Sequence, residues 1–389
     1  MPMERSYLDW NATAPLRPQA QEALREAFAV VGNPSSVHAE GRAARQLVEK
    51  AREQVATLVG AQSGNVFFTS GGTEANMLAL TPAIQTAGEK RPRDRLLMSA
   101  IEHPSVRTGG RFSRELVQDV PVTADGRADL AALAVAVGKA SRPLVSLMIA
   151  NNETGVVQPV AEAATIVHAA GGLLHVDAVQ APGRISCDIG MLGADLLTVS
   201  AHKLGGPKGV GAIVRRGDDV HFPDPLLRGG GQERGIRAGT ENVAGIAAFG
   251  AAAEAAQRQS VAEAAHMKHL REVLESGLRT ISQSTVIFGE TAARLPNTTL
   301  FAAEGMKAET AVIAFDLEGV AVSSGAACSS GKVQPSHVLA AMGVPEPLLR
   351  GAVRVSLGWS TTQADVERFL DAWRKLATAL SKGGHGIAA

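Results

Sequence analysis

A lysine set between two apolar runs is where this chain first offers chemistry. Residues 198–211 read Thr-Val-Ser-Ala-His-Lys-Leu-Gly-Gly-Pro-Lys-Gly-Val-Gly. The run 194–199 predicts a buried strand ending at Ser200, and 210–214 predicts a second. The gap between them is too short for a helical crossover, so the two strands should pair antiparallel. Lys203 then stands in a tight, Gly-bordered turn. Two readings are open there. One is a solvated turn lysine, because Lys is rarely buried unpaired. The other is an amine that bonds covalently to a cofactor aldehyde, which needs a desolvated or cation-flanked site. Ser200 and His202 beside it suit a phosphate group.

Other polar residues follow other predicted strand ends, where ligands sit in open α/β sheets. After 65–69 come Gly71, Gly72, Thr73 and Glu74 at a helix start. Free N–H groups and the helix dipole there favour phosphate, although the same residues make an ordinary capped turn. This is no nucleotide-binding P-loop, because no Gly-Lys-Ser/Thr closes it. After 95–99 comes Glu102-His103-Pro104. His103 suits stacking on a flat ring and moving protons near neutral pH, or it is a satisfied structural histidine. After 144–150 comes Asn151-Asn152-Glu153, with Asn152 a candidate donor. After 173–176 comes Asp177, with Gln180 close behind. A carboxylate at a buried sheet rim needs a partner; a protonated pyridine nitrogen is one, and a helix start is another. Taken together these residues describe a pyridoxal 5′-phosphate (PLP) site. Arg354 alternates with apolar neighbours, and its planar fork fits an amino-acid carboxylate unless it is a surface arginine.

Cys328 lies among small residues, Ser323 to Gly331. A structural cysteine more often sits in an apolar run. A thiol here suits a travelling nucleophile that needs activation, since at its ordinary pKa little is thiolate near neutrality. Cys187 reads as a packing residue.

The elements that must hold these groups alternate strand and helix through 65–170. That predicts an α/β fold with a large, mainly parallel sheet covered by helices on both faces. Residues 241–281, rich in Ala, Glu and Arg, predict two helices or one broken one. Shorter strands and two more helices follow, giving a smaller α+β domain. The expected division is 15–257 for the large domain and 258–389 for the small one, with 1–14 returning to pack on the latter. The segment 229–240 is polar, Gly-rich and long for a loop without a role; in a dimer it would reach a neighbour's site.

Composition narrows the function class. With 389 residues and 45% hydrophobic content, the chain can bury a sizeable core. Lys+Arg and Asp+Glu are both 38, which argues against a nucleic-acid binder. Two cysteines are too few for a disulfide framework and suit a reducing cytoplasm. No signal peptide or membrane-spanning run is expected. A dinucleotide dehydrogenase is disfavoured for want of a Gly-x-Gly-x-x-Gly turn.

The chain resembles the PLP-dependent cysteine desulfurases that supply sulfur for iron–sulfur clusters and nitrogenase, in the class V aminotransferase family (PLP-dependent transferase fold type I). The carriers run from Tyr7-Leu8-Asp9 to Leu357-Gly358. They include residues 32–36, 72–76, 102–104, 151–155, 175–178, 200–203, 229–235, 237–240 and the cysteine loop. The resemblance implies that Lys203 holds PLP and shuttles the Cα proton. His103 stacks on the ring, and Asp177 pairs with its nitrogen. Gln180 and Asn152 face the ring oxygen. Gly72, Thr73, Ser200 and His202 cradle phosphate, with Thr240 arriving from the second subunit of a homodimer. Asn33, Asn152 and Arg354 hold the carboxylate of L-cysteine. Cys328 takes the sulfur as a persulfide and passes it to acceptors such as an iron–sulfur scaffold protein, in the longer form of the loop. Metal enters only through that association, and no metal-ligand set is expected. Two departures are Trp10, where asparagine is expected, and Ala326, where serine is frequent. A selenocysteine lyase, another class V aminotransferase or lyase, and a non-catalytic sulfur scaffold are the rivals.

Overall fold

The computed structural model describes residues 5–325 and 335–384, with the side chains of 381–384 excluded. Its centre is a seven-stranded sheet in the order Val66–Thr69, Gly211–Arg215, Leu196–Ser200, Leu173–Asp177, Pro143–Met148, Arg95–Ser99, Val117–Val120. All neighbours run parallel except Gly211–Arg215, which is antiparallel to both strands beside it. The expected antiparallel return after the lysine turn is therefore present, with Ser200 opposite Gly211 and Leu196 opposite Arg215. Strands such as Pro143–Met148 and Leu173–Asp177 are buried along their whole length, as central strands with helices on both faces should be.

Helix starts follow local chemistry. The Ala39–Leu58 helix is capped by His38, whose side chain accepts from the Gly41 N–H, and buries Ala44, Val48, Ala51 and Val55. Those positions repeat at three- and four-residue spacing, so one stripe faces the core. It packs on Val243–Ile281, which is one continuous helix of 39 residues. Here the expectation of two helices or a broken one is corrected. The segment contains no proline, and its Ala, Glu and Arg are strong helix formers. Its first half buries Phe249 and Ala252 in the core of the large sheet, and its second buries Leu270 and Leu274 in a separate core. The expected division near 257 thus falls within a helix that serves both cores.

The second core lies on a four-stranded antiparallel sheet, ordered Val286–Ile287, Thr298–Ala302, Val353–Ser356, Ser323–Ser324. Phe369 stacks on Phe315, 4.9 Å between ring centres, and Trp373 meets Phe301 edge-on. The N-terminus joins this core: Ser6–Tyr7 pairs parallel with Val320–Ala321, and Leu8 is fully buried. Ser323 and Ser324, expected in a loop, instead pair with Arg354 and Val353.

The segment 8–17 then crosses to the large sheet. Trp10 meets Trp359 at 4.6 Å, and a Cβ on Gly358 would lie 2.0 Å from the Trp10 ring. The departure at position 10 is therefore accommodated by a residue without a side chain. Arg17 lies 3.9 Å over Trp359, binds Glu263 through both terminal nitrogens (2.7 and 2.6 Å), and donates Nε–H to the Leu204 carbonyl at 3.0 Å. The Gly-rich segment at 229–240 is also pinned. Glu233, with φ of 44°, is buried and paired with Arg52 at 2.7 and 2.9 Å.

Candidate active site

A cavity of about 490 Å³ opens where the carboxyl ends of the central strands face the small sheet. Gly72, Thr73, His103, Asn152, Asp177, Gln180, Ser200, His202, Lys203 and Arg354 all line it. These ten expected residues, spread over almost 300 positions of sequence, therefore meet in one place.

Lys203 ends the short turn Ala201–Lys203 that follows the Leu196–Ser200 strand. Its Nζ donates to the carbonyls of Asn11 at 2.6 Å and Ala12 at 2.8 Å. Burial pushes its pKa down to about 7, helped by the positive charges of Arg354 and Arg184. Both conditions for an amine nucleophile, desolvation and flanking cations, are met. His202 is held at about 4, first by burial and then by Lys203 and Lys208. It is neutral at pH 7 and faces Thr13 Oγ1 at 3.2 Å.

Asp177 ends its strand with Oδ1 accepting from the Val179 N–H at 3.0 Å and Oδ2 from Asn76 Nδ2 at 2.9 Å. His103 caps the Pro104–Arg107 helix. Its Nδ1 accepts from the Ser105 N–H at 3.2 Å and lies 2.8 Å from Ser105 Oγ. Burial lowers its pKa; Asp177 opposes that shift, while Lys203 and His337 add to it. Behind Asp177, His175 sits between Ser146 Oγ and Thr198 Oγ1 at 2.9 and 3.0 Å, and burial holds it at about 4.

Across the cavity Arg354 is buried on its strand, not on a half-exposed one. Nη2 donates to Asp9 Oδ1 at 2.8 Å and Nη1 to the Asn152 carbonyl at 2.9 Å. Each terminal nitrogen keeps a second N–H, enough for a bidentate carboxylate. Gln180 Nε2 donates to the Asn11 carbonyl at 3.1 Å, and its Oε1 accepts from Arg184, which fixes the amide orientation.

Asn33 and Thr240 are not brought to this cavity. Asn33 is exposed, its Oδ1 turned back onto the Ser35 N–H at 2.9 Å, and Thr240 is exposed on the pinned segment. Cys328 and Ala326 lie outside the described residues. Cys187 is buried in the large core, and burial pushes its thiol up to about 12, so it is a packing residue. Among the described residues no group of three or more His, Cys, Asp or Glu forms a metal site, and no helix is long and apolar enough to cross a membrane.

Sequence reasoning passed over several residues that shape the site. Asn11 is buried in the crossing segment; its Nδ2 donates to Thr298 Oγ1 at 2.9 Å and its Oδ1 accepts from Asn297 at 3.1 Å. Asn76 and Ser105 join Asp177 to His103. A polar residue on the buried face of a helix was the available signal for Asn76. Glu102 is fully buried; Oε1 accepts from the Met148 N–H at 2.6 Å, Oε2 has no partner among the described residues, and burial drives its pKa well above the carboxylate range. Glu153, raised to about 7 by burial, accepts from Ser336 Oγ at 2.5 Å.

The residues present fit a PLP-sized group. The Gly72–Ala79 helix starts at the cavity, with Thr73, Ser200 and His202 beside it. A Cβ on Gly72 would meet Val179 at 3.0 Å and Ser200 at 3.5 Å, filling the space between that helix start and the lysine strand. An anion is favoured at such a helix end. A carboxylate, an imidazole and a partly neutral amine surround the remaining volume.

The sequence profile of the family described as aminotransferase class-V matches residues 6–369. A protein named cysteine desulfurase from Cereibacter sphaeroides is 43% identical over 379 residues, covering 95% of each chain. The solved structure of a NifS-like protein from Rickettsia africae aligns with a TM-score of 0.85 at 34% identity, over 96% of this chain and 100% of that one. A structure titled SspA in complex with cysteine aligns with a TM-score of 0.75 at 26% identity, over 92% and 100%.

Proposed function

The chain belongs to the aminotransferase class-V family, and from that premise we propose that it is a PLP-dependent cysteine desulfurase. It converts L-cysteine to L-alanine and passes the sulfur through Cys328 to acceptor proteins that build iron–sulfur clusters or other thio-cofactors. The observation that carries this reading is Lys203 with a pKa near 7, in one cavity with Asp177, His103 and Arg354. The relative of that name and the cysteine-bound neighbour support the substrate.

Gly72, Thr73, Ser200 and His202 would hold the cofactor phosphate, Asp177 would pair with its ring nitrogen, His103 would cover its face, Gln180 and Asn152 would face its ring oxygen, and Lys203 would be the amine that takes up its aldehyde. PLP, when bound, supplies an electron sink that makes the Cα proton of cysteine removable. Arg354 and Asn152 orient the substrate carboxylate, with Asn33 reaching it from a second copy. Lys203 takes the proton from Cα and returns it, work suited to a base whose pKa lies near the operating pH. Cys328, as thiolate, bonds to the substrate sulfur while the carbon–sulfur bond breaks. The carbon takes up a proton, alanine leaves, and the enzyme keeps a persulfide.

The exposed positions of Asn33 and Thr240 support a homodimer in which these loops complete the site of a second copy. A reducing cytoplasm, where thiols stay reduced, suits this thiol chemistry. The test is alanine and sulfide formation from L-cysteine, with and without reductant, by the wild type and Cys328→Ala. Alanine should form in the wild type and collapse in the variant while visible absorbance from bound PLP persists. Unchanged turnover in Cys328→Ala would favour another class V lyase or aminotransferase.

A further inference from the structure

We propose that Asn76 and Ser105 are positioning residues that fix the tautomer of His103 and tie it to the Asp177 carboxylate. The inference rests on the roles of His103 and Asp177 given above.

Asn76 is buried in the Gly72–Ala79 helix. Its Nδ2 lies 2.9 Å from Asp177 Oδ2 and 2.9 Å from Ser105 Oγ. A carboxylate only accepts, so the amide must present its nitrogen there; flipping it would set oxygen against oxygen. The two amide hydrogens are then both used, one on each partner. Ser105 Oγ, having accepted, has one hydrogen of its own to place. Its neighbour at 2.8 Å is His103 Nδ1, which also receives the Ser105 N–H at 3.2 Å. A ring nitrogen that takes two donors carries no hydrogen, so neutral His103 holds its proton on Nε2.

The cost of this arrangement is visible. Asn76 Oδ1 is buried and has no partner among the described residues. An asparagine placed for stability alone would satisfy both ends of its amide. Here the oxygen is left unpaired so that one nitrogen can serve both halves of the site. The arrangement also opposes a second proton on His103, in the direction set by burial, Lys203 and His337 and against the pull of Asp177. Among the described residues those are the charged and titratable groups that bear on the ring, from the Leu173–Asp177 strand, the lysine turn and the His337–Ala341 helix.

The experiment is nitrogen NMR of histidine-labelled protein, cofactor-free and PLP-loaded, with the His103 signals assigned through His103→Gln. The wild type should show His103 neutral at pH 7 with the proton on Nε2. Ser105→Ala and Asn76→Leu should raise the Nδ1–H population and lift the His103 pKa by about half to one unit. Ser105→Thr should restore the wild-type signature, which keeps the test decisive should Asn76→Leu not fold. In the loaded enzyme, kcat should fall and its acid limb shift upward, while KM for cysteine changes less. Wild-type His103 with its proton on Nδ1, or variants whose spectra and pH profiles match the wild type, would overturn the proposal. Failure of the wild type to release alanine from cysteine rejects the functional reading instead, and the tautomer measurement on cofactor-free protein decides this proposal independently.

Discussion

The two walls of the cavity are built in opposite ways. On the Asp177 wall, side chains hold side chains: Asn76 to Asp177 and Ser105, and Ser105 to His103. On the Lys203–Arg354 wall, side chains rest mainly on main-chain carbonyls: those of Asn11 and Ala12 under Lys203, and that of Asn152 under Arg354. A carbonyl accepts whatever its residue's identity, so Ala12 under Lys203 tolerates substitution as long as the backbone path is kept, whereas Asp9, whose carboxylate accepts from Arg354, does not. The first wall depends on residue identity at each of these side-chain links, with only the Val179 and Ser105 N–H groups adding main-chain support.

The strongest way to break the comparison is Lys203→Ala. Alanine formation should fall by about 10²–10⁴-fold, the range for a lost proton carrier, and borohydride should no longer fix PLP to the protein, as mass spectrometry would report. Asp177→Asn, on the other wall, should lower kcat by about 10²–10³-fold through lost charge stabilisation, with KM for cysteine less affected. If KM carried the whole effect, the carboxylate would be serving substrate binding and the division between walls would fail. Arg354→Lys keeps the charge but loses the fork. KM should rise about 10- to 100-fold, the equivalent of a charged hydrogen bond.

A pH measurement sharpens the electrostatics of the second wall. With its pKa lowered to about 7, Lys203 is protonated below that pH and neutral above it. In cofactor-free protein its acylation should therefore be half-maximal near pH 7, against about 10.4 for an ordinary lysine. Arg354→Met removes a cation that lowers the pKa, so the midpoint should move upward; an unmoved midpoint would leave burial and Arg184 as the causes. The smallest effect on chemistry belongs to Gly358→Ala. The new methyl would meet Trp10, costing about 1–3 kcal/mol of stability, read as a lower thermal midpoint with PLP still bound.

The contrast between the walls also explains what could be read in advance. Asp177, His103, Thr73 and Lys203 follow strand ends, and strand ends are marked by apolar runs, so both the sheet and these residues were legible. Asn76 was visible only as part of a motif, because its role depends on a partner about a hundred positions away. The carbonyls of Asn11 and Ala12 had no signature at all, since any residue supplies one. That Val243–Ile281 is a single helix, and not two helices or a broken one, is not legible because composition gives helix propensity but not continuity, which here comes from two cores packing on its two halves. Asn33 and Thr240 carry the family pattern yet stand outside the cavity; one chain's sequence does not say which copy a loop serves.

Arg17 carries one more implication. It clasps Glu263 in the long helix, lies on Trp359 near the C-terminal helix, and donates to the carbonyl of Leu204, next to the reactive lysine. The two lobes are therefore not a cassette and an accessory that a protein engineer might recombine at will. A graft that swaps in a foreign C-terminal lobe without a matching tryptophan at 359 and glutamate at 263 would loosen the turn bearing Lys203, however faithfully the large sheet was preserved.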